Sequence, residues 1–373
     1  MLKIALIRQR YTHDGGAERF VARALDALKS QNLQLTLVTR QWQAGAGFEL
    51  IRCNPFYLGR WWRDAAFAGA ACRALKNRSF DLVQSHERLA CCDVYRAGDG
   101  VHREWLQQRA RAQSTLARLG SALNPYHYYV KCAEQKLFTS TRLKAVICNS
   151  RMVRAEIEKY FRVPADKLHV IYSGVDTQAY HPDLKQHRAT LRTRYGIPDN
   201  AMLFLFVGSG FERKGMAALL QAMAKLPVNA FLLVVGRDRK IARFKTLSTS
   251  LGLNARVIFA GAHADVKPYY GAADALVLPT LYDPFPNVAL EAMASGLPLI
   301  TSFKCGAAEL IENGKNGFVC DALDVAALAA HMQALTPTTA AALGVHARAT
   351  VANMDLAHMS EALIKLYNKL LHS

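Results

Sequence analysis

Residues 275–296 read Ala275-Leu-Val-Leu-Pro-Thr-Leu-Tyr-Asp-Pro-Phe-Pro-Asn-Val-Ala-Leu-Glu-Ala-Met-Ala-Ser-Gly296. The opening apolar run predicts a buried strand, and Gly296 and Pro298 end an amphipathic helix that begins near Asn287. The loop between them therefore follows the carboxyl end of a strand, where open α/β sheets bind their ligands. The unpaired backbone N–H groups of the first helical turn would suit an anion.

Two carboxylates, Asp283 and Glu291, flank this turn eight residues apart. Asp283 lies in the loop and Glu291 about one helical turn into the helix, so both can accept hydrogen bonds from the hydroxyl groups of one ligand. An ordinary βα turn with a helix-start Asp and a solvated Glu fits the same residues. This stretch by itself leaves both interpretations open.

The length of 373 residues exceeds one ordinary core and predicts two domains. No run of 18 or more apolar residues occurs, and residues 2–8 are too short for a signal peptide, so we expect neither secretion nor a membrane span. The eight cysteines contain no C-x-x-C pair, and Cys91 and Cys92 are adjacent. We therefore expect reduced cytosolic thiols, without a structural disulfide or a zinc site.

Basic residues outnumber acidic ones, which gives a formal net charge of +18. Most of the excess lies in residues 1–180, where 28 Lys and Arg face 15 Asp and Glu. Within it, residues 101–145 carry eight cations and two acids among Trp, Leu and Tyr residues. This mixture is typical of helices that meet anionic lipid. Cationic surface helices, or a face for nucleic acid without a recognised motif, are the alternatives.

Two series of strands alternate with helical stretches and predict two doubly wound sheets, the second beginning near Ser173. A polar segment, 181–200, suits an inter-domain connection, and residues 359–371 predict a packing helix whose contacts the sequence does not assign. The predicted strands are 3–7, 35–39, 82–84, 93–95, 145–148, 202–207, 231–235, 257–259, 275–278 and 298–301.

Two glycine-containing loops follow predicted strands and carry further candidate residues. Gly15 and Gly16 would let the backbone approach a phosphate, and Arg213 and Lys214, in the loop 208–215, would neutralise a diphosphate. Neither loop matches G-x-G-x-x-G or a Walker A sequence. Plain turns with solvated cations are the alternative.

Asp99 and His102 occupy a third glycine-containing loop, after the short strand 93–95. Three residues apart, they can share the wall of a site, the Asp as a hydroxyl acceptor and the His as a donor or proton carrier. An Asx-turn and a surface histidine would explain the same residues.

The order and spacing of these motifs resemble the retaining glycosyltransferases of family 4, the group 1 transferases of GT-B architecture. The resemblance covers nearly the whole chain, and its motifs are 15–18, 149–150, 172–176, 208–215 and 283–298. It implies an α/β fold with two Rossmann-like doubly wound domains facing across a cleft and a C-terminal helix packing back. Residues 1–172 would bind the acceptor and residues 173–373 the nucleotide-sugar. The family motif has Glu where this chain has Asp283, which shortens the reach by one methylene group.

The resemblance also implies roles for the candidate residues. Arg213 and Lys214 would bind the diphosphate of a UDP-sugar and stabilise the charge on the leaving group. Glu291 would hold the ribose, and Asp283 would face the sugar hydroxyls. The backbone of Phe285, Pro286, Asn287 and Val288 would contact the sugar and the phosphate. Gly15 and Gly16 would contact the phosphate. Asp99 and His102 would contact the acceptor or the donor sugar.

The resemblance implies a transfer reaction that uses neither a covalent sugar–enzyme intermediate nor a metal ion. No second carboxylate pair suits a double displacement, which favours front-face attack within one ion pair as the retaining route. No D-x-D occurs, so we expect no metal site, metal-independent transfer, and no cofactor besides the UDP-sugar, which is the donor substrate.

The Gly-Gly loop and the basic segment after Asp99 resemble Gram-negative lipopolysaccharide core transferases in particular. These transfer glucose or N-acetylglucosamine to heptose on a lipid A-anchored core, so we expect a cytoplasmic enzyme, peripheral on the cytoplasmic face of the inner membrane. The alternatives are a transferase for another cell-envelope glycan or glycolipid, an epimerase or phosphorylase of GT-B shape, and a non-catalytic basic module that binds membrane or nucleic acid.

Overall fold

The computed structural model describes residues 2–10, 33–42, 49–76 and 78–372. The chain divides into two compact units. Unit 1 comprises Met1–Ser173 with Ala357–Ser373, and unit 2 comprises Gly174–Leu356. Each unit is built on a parallel sheet with helices packed against it, as the alternation of strands and helices predicts.

Within the described part of unit 1, seven parallel strands pair in the order β3-β2-β1-β4-β5-β6-β7. Because β1 lies beside β4, the winding of the sheet reverses between these two strands. The strands are β1 (Leu2–Ile7), β2 (Leu33–Thr39), β3 (Glu49–Arg52), β4 (Leu82–Ser85), β5 (Val94–Arg96), β6 (Ala145–Cys148) and β7 (Leu168–Val170). The helices are α1 (Gly59–Lys76), α2 (His102–Arg111), α3 (Thr115–Ala122), α4 (Pro125–Phe138) and α5 (Arg151–Phe161), with a 3₁₀ turn at Ala165–Lys167.

In unit 2, six parallel strands pair in the order β10-β9-β8-β11-β12-β13 across the described residues 174–356. The strand order reverses between β8 and β11. A core of buried apolar side chains packs between the sheet and its helices. The strands are β8 (Met202–Val207), β9 (Ala230–Val235), β10 (Val257–Gly261), β11 (Ala275–Leu278), β12 (Leu299–Ser302) and β13 (Gly317–Cys320). The helices are α6 (Arg188–Arg194), α7 (Met216–Met223), α8 (Ile241–Ser250), α9 (Lys267–Ala272), α10 (Asn287–Ala294), α11 (Val325–Gln333) and α12 (Pro337–Thr350), with 3₁₀ turns at Pro182–His187 and Gly306–Leu310.

The polar segment 181–200 belongs to unit 2 and is not a linker between the units. Its helix α6 carries Arg192, which is fully buried and donates a hydrogen bond of 2.8 Å to Asp274 Oδ2. The same guanidinium donates to the carbonyl oxygens of Ala272 and Ala201. Buried hydrogen bonds of this kind hold the polar segment against the sheet, and composition alone does not reveal them.

The last helix, α13 (Leu356–Leu371), covers one face of the unit 1 sheet. Its apolar side is buried at helical spacing, and Tyr367 also donates a hydrogen bond of 2.5 Å to Gln84 Oε1 on β4. The predicted second domain, 173–373, therefore differs from unit 2, which ends at Leu356. Periodicity identifies an apolar helix face but not the sheet that it covers. The buried residues of α13 are Met359, Leu363, Leu366, Tyr367 and Leu370.

The expectation of reduced thiols throughout is wrong at one pair. Cys72 on α1 and Cys91 in the loop after β4 form a disulfide, with their Cα atoms 5.8 Å apart. The pair is 19 residues apart in sequence, so only the packing of α1 and the loop after β4 into one core brings the two sulfurs together.

The basic segment 101–145 folds as the three helices α2, α3 and α4. Helices α2 and α4 bury part of their surface, whereas α3 buries none of its residues and exposes Leu116 and Leu119. Throughout the described ranges, no helix combines the length and apolar character that a membrane span requires.

Candidate active site

The glycine loop after β8 folds back onto the end of its own sheet. Gly215 has φ +77°, and a Cβ there would lie 1.9 Å from the carbonyl oxygen of Pro279, so only glycine fits. A Cβ on Gly208, which has φ +142°, would lie 2.6 Å from Lys214 Cε. Gly215 therefore allows the loop to pack against Pro279, and Gly208 allows the Lys214 side chain to lie directly against the loop backbone.

Lys214 and Arg213 meet Asp283 between β8 and β11, where the sheet winding reverses. Lys214 Nζ donates to Asp283 Oδ2 over 3.1 Å, and Arg213 Nη1 donates to the same oxygen over 3.0 Å. Arg213 Nη1 also donates to the carbonyl oxygen of Tyr282. Lys214 and Asp283 are buried, whereas the Arg213 side chain is 37% exposed. The predicted cations and the predicted loop carboxylate thus form one cluster.

Opposing effects act on the pKa of Asp283. Burial raises this pKa, but the charges and hydrogen bonds of Lys214 and Arg213 outweigh burial and lower it below the usual value. Asp283 is therefore ionised at neutral pH. Its backbone is also fixed, because its N–H donates to Lys304 and its carbonyl oxygen accepts from Gly306.

Glu291 lies on α10, and its placement depends on a residue that the sequence analysis does not single out. Tyr270 on α9 is fully buried and donates a hydrogen bond of 2.9 Å to Glu291 Oε2. Glu291 is buried as well. No sequence signal links the two, since they are 21 residues apart on different helices.

The predicted backbone contacts lie at the start of α10. Phe285 and Pro286 are buried, and Asn287 and Val288 form the half-buried first turn of the helix. The positive end of the helix dipole is directed at the loop that carries Asp283, which favours an anion there.

Asp99 lies in a loop of unit 1 and His102 is the first residue of α2, and an ion pair that the sequence pattern does not reveal fixes both. Glu134 Oε1 accepts one hydrogen bond from Arg88 Nε and one from the backbone N–H of His102, both 2.9 Å long. Arg88 Nη1 reaches Asp99 Oδ2 at 3.6 Å. Glu134 is buried and is one of two acids among the eight cations of segment 101–145, which is the signal that could have identified it.

The two residues of the predicted pair have different environments. Asp99 has a side chain 63% exposed, whereas His102 is buried, with Nε2 3.0 Å from His127 Nδ1. Burial, together with the charge of Arg88, lowers the pKa of His102 to about 3. The imidazole is therefore neutral near pH 7 and can act by hydrogen bonding rather than as a cation.

Two residues predicted to contact a phosphate, Gly15 and Gly16, lie outside the described residues. Within the ranges that the structure describes, no group of three or more His, Cys, Asp or Glu side chains is arranged to hold a metal ion. Metal independence stays a prediction.

Two family models match the chain, one over each unit. The model described as Glycosyltransferase Family 4 matches residues 14–179, and the model described as Glycosyl transferases group 1 matches residues 187–338. The lipopolysaccharide glucosyltransferase WaaG of Escherichia coli (strain K12) is 27% identical over 323 residues, which are 85% of this chain and 84% of that protein.

Solved structures show the same architecture. A crystal structure of WaaG, a glycosyltransferase involved in lipopolysaccharide biosynthesis, gives a TM-score of 0.83 at 24% identity and covers 98% of this chain and 99% of its own. Anabaena HepE in complex with UDP and glucose gives a TM-score of 0.76 at 20% identity, with 99% and 100% covered. With a family model over each unit and this fold throughout, the chain belongs to the group 1 glycosyltransferases of GT-B architecture.

Proposed function

We propose that this protein transfers glucose or N-acetylglucosamine from a UDP-sugar to the heptose region of a lipopolysaccharide core, with retention of configuration and without a metal ion. The observation that carries the proposal is the cluster of Arg213, Lys214 and Asp283 where the unit 2 sheet reverses. Two cations against one carboxylate leave an excess positive charge at the position where such sheets bind nucleotides.

A UDP-sugar fits this site chemically. The diphosphate would lie against Lys214 and Arg213, which would stabilise the charge that grows on UDP as the glycosidic bond breaks. Glu291, held by Tyr270, would accept hydrogen bonds from the ribose hydroxyls. The complex of HepE with UDP and glucose supports a nucleotide-sugar donor for this fold.

The donor site supplies what front-face attack requires. The leaving diphosphate, paired with Lys214 and Arg213, would take the proton of the attacking hydroxyl on the face from which it departs. Asp283 would align the sugar hydroxyls and also hold both cations in place. No metal or other cofactor is needed, because the two side chains provide the charge that a divalent ion would supply.

The acceptor assignment rests on the similarity to WaaG and on the charge of unit 1. A lipopolysaccharide core is anionic, and the excess of 28 basic over 15 acidic residues in 1–180 would attract it. Asp99 is exposed and could accept a hydrogen bond from an acceptor hydroxyl, with His102 beside it as a neutral donor.

We also propose that α3 holds the protein on the cytoplasmic face of an anionic membrane, where the lipid A-anchored acceptor is made. Leu116, Leu119 and Leu123 are all more than 60% exposed, and Arg111 and Arg118 are exposed beside them. Apolar side chains that enter the headgroup layer, flanked by cations, are typical of interfacial helices.

Transfer assays test the proposal. UDP-glucose, UDP-N-acetylglucosamine and UDP-galactose would each be offered with truncated core acceptors, and the configuration of the product would be read by NMR. We expect one of the first two donors to be used, with an α-linked product from the α-linked donor. If the protein transfers no sugar and hydrolyses no donor, the alternative of a non-catalytic binding module is favoured.

A further inference from the structure

Unit 1 displays a cluster of aromatic side chains that the site described above does not use. Phe56, Trp61 and Trp62 are 75%, 47% and 40% exposed, in the loop after β3 and the first turn of α1. The Trp61 and Trp62 rings stack with their centroids 6.4 Å apart, and Phe56 meets Trp62 edge-on at 5.9 Å. Rings as large as these are usually buried, so their exposure side by side marks a binding surface.

A buried arginine fixes this surface in place. Arg40, at the end of β2, is 3% exposed and donates to the carbonyl oxygens of Pro55 and Arg63 over 3.1 and 3.0 Å. Its guanidinium also lies 4.6 Å above the Tyr57 ring. The loop and the first turn of α1 are therefore tied to the sheet. Rings held in this way lose little conformational entropy when a ligand stacks on them.

A cluster of planar polar side chains includes the two residues that follow Trp62 on α1. Asp64 Oδ1 accepts a hydrogen bond of 2.8 Å from Arg63 Nε and one of 3.2 Å from Gln9 Nε2. Gln9 follows β1, so this group lies at the carboxyl end of the sheet, close to its reversal between β1 and β4. A carboxylate, an amide and a guanidinium beside an aromatic face are the groups that bind the hydroxyls and the apolar face of a sugar ring.

Helix α4 links the helix that carries this surface to His102. The Tyr126 ring, at the start of α4, meets the His102 ring edge-on at 6.3 Å. Burial raises the pKa of Tyr126, and the negative charge of Asp64 raises it further. Helix α1 also packs against α4. Within unit 1, α4 therefore lies against α1, which carries Trp61 and Trp62, and its Tyr126 ring meets His102.

We propose that Trp61 and Trp62, together with Arg63, Asp64 and Gln9, bind a second sugar of an oligosaccharide acceptor, beyond the sugar that receives the transferred hexose at Asp99 and His102. This inference rests on the proposed function and specifies its acceptor as a glycan of at least two sugars. We assign the surface to a glycan rather than to lipid, because Arg63 and Asp64 follow the rings on α1 and offer hydrogen-bonding groups together with Gln9. Helix α1 also packs against α4, which contacts His102.

Soluble acceptors test the inference without a membrane. A methyl heptoside would be compared with a heptose-containing core oligosaccharide freed of lipid A. In Trp62→Ala, KM for the oligosaccharide should rise about tenfold, the size expected for a lost aromatic contact. KM for the heptoside and kcat should change less than about twofold, and Trp62→Tyr should restore most of the affinity. Tyr128→Ala, which removes an exposed ring from α4, is the matched control.

Direct binding supplies a second readout. Without donor, the oligosaccharide should change the tryptophan fluorescence of the wild type, and Trp62→Ala should weaken this binding to the same extent as KM. An unchanged oligosaccharide KM, or an equal rise for both acceptors, would overturn the inference. So would loss of binding to anionic vesicles with an unchanged KM, since that result assigns the rings to lipid. Failure of the wild type to transfer to any acceptor or to hydrolyse donor would count against the proposed function, whereas the binding measurement would still decide the glycan site.

Discussion

Lys214 Nζ lies 3.1 Å from Asp283 Oδ2, although the two residues are 69 positions apart in the chain. Arg213 shares the same oxygen, so the cluster has one carboxylate for two cations. The carboxylate keeps both side chains in place, while the charge that it does not balance is available for a diphosphate. This arrangement orients the cations before a donor binds, which is the kind of preorganisation that stabilises a leaving group.

Replacing Lys214 or Arg213 with alanine should lower kcat about 100-fold or more, because each loses roughly 3 kcal/mol of leaving-group stabilisation. Lys225→Ala, which removes an exposed cation from unit 2, should leave kcat unchanged. Thermal unfolding of each variant would separate loss of catalysis from loss of fold. Near-normal kcat in both folded single variants would contradict the assignment.

Tyr270→Phe should act on donor binding. The change removes the hydroxyl that donates to buried Glu291, a loss of roughly 1–3 kcal/mol. KM for the UDP-sugar should rise about tenfold or more, with a smaller effect on kcat. Tyr269→Phe is a matched control, because its hydroxyl bonds Tyr195 instead. Equal donor KM values in the two variants would show that Tyr270 does not position Glu291.

Chelation should not abolish activity. The charge on the leaving diphosphate is assigned to Lys214 and Arg213, so excess EDTA should reduce turnover by less than about twofold. The measurement is the initial rate of transfer before and after dialysis against EDTA. Complete loss of activity that magnesium or manganese restores would require a metal ion in the mechanism.

Stability should fall in mild acid because His102 is buried as the neutral imidazole. Its pKa is lowered to about 3, whereas the unfolded value is about 6.5, so between these values the unfolded chain binds the extra proton. The stabilisation is complete above pH 6.5 and is lost as the pH falls towards 3.

Urea unfolding at pH 7 and pH 5 would measure this dependence. His102→Gln should reduce the difference between the two free energies of unfolding by about 2 kcal/mol. His346→Gln, at an exposed position, should leave the difference unchanged. A pH dependence that survives in His102→Gln would mean that other groups, such as the buried His86, account for it.

Membrane binding by α3 and its neighbours should be electrostatic in part. Vesicles that contain phosphatidylglycerol or cardiolipin should bind the protein, and salt should weaken the binding, since the Debye length is about 8 Å at physiological ionic strength. Changing the four arginines Arg103, Arg109, Arg111 and Arg118 to Gln should release the protein from vesicles and leave donor hydrolysis largely intact.

The matched control removes four exposed cations from unit 2: Lys185, Lys225, Arg243 and Lys245, each changed to Gln. Both variants lose the same net charge, so only the position of the charges differs. If they sediment equally with anionic vesicles, the segment is a solvated surface and the membrane proposal fails.

Fully buried strands could be predicted closely from the sequence. The strands 145–148, 202–207 and 275–278 agree residue for residue with the structure, because a parallel strand covered on both faces needs a continuous apolar run. The edge strand β3 gives no such signal, since its four residues are partly exposed and charged at both ends. Apolar patterning therefore reports burial more reliably than it reports strands.

The candidate site also has features that the sequence predicts and features that it does not. Glycines and paired cations identified the loop of Arg213 and Lys214, but their contact with Asp283 depends on β8 lying beside β11, and strand order is not written in local sequence. The bonds of Tyr270 to Glu291 and of Arg88 to Glu134 likewise join separate elements. Local sequence patterns identify candidate site residues, whereas the order of strands and helices determines which of these residues are in contact.

The return of α13 to unit 1 has a consequence for the order of events during synthesis on the ribosome. Unit 2 is continuous in sequence, so it can complete its core once residues 174–356 have emerged. Unit 1 begins first but must wait for residues 357–371, because Ile4, Leu82 and Val94 pack against that helix. The amino-terminal sheet therefore keeps an apolar face open to chaperones or to aggregation until residues 357–371 have been translated.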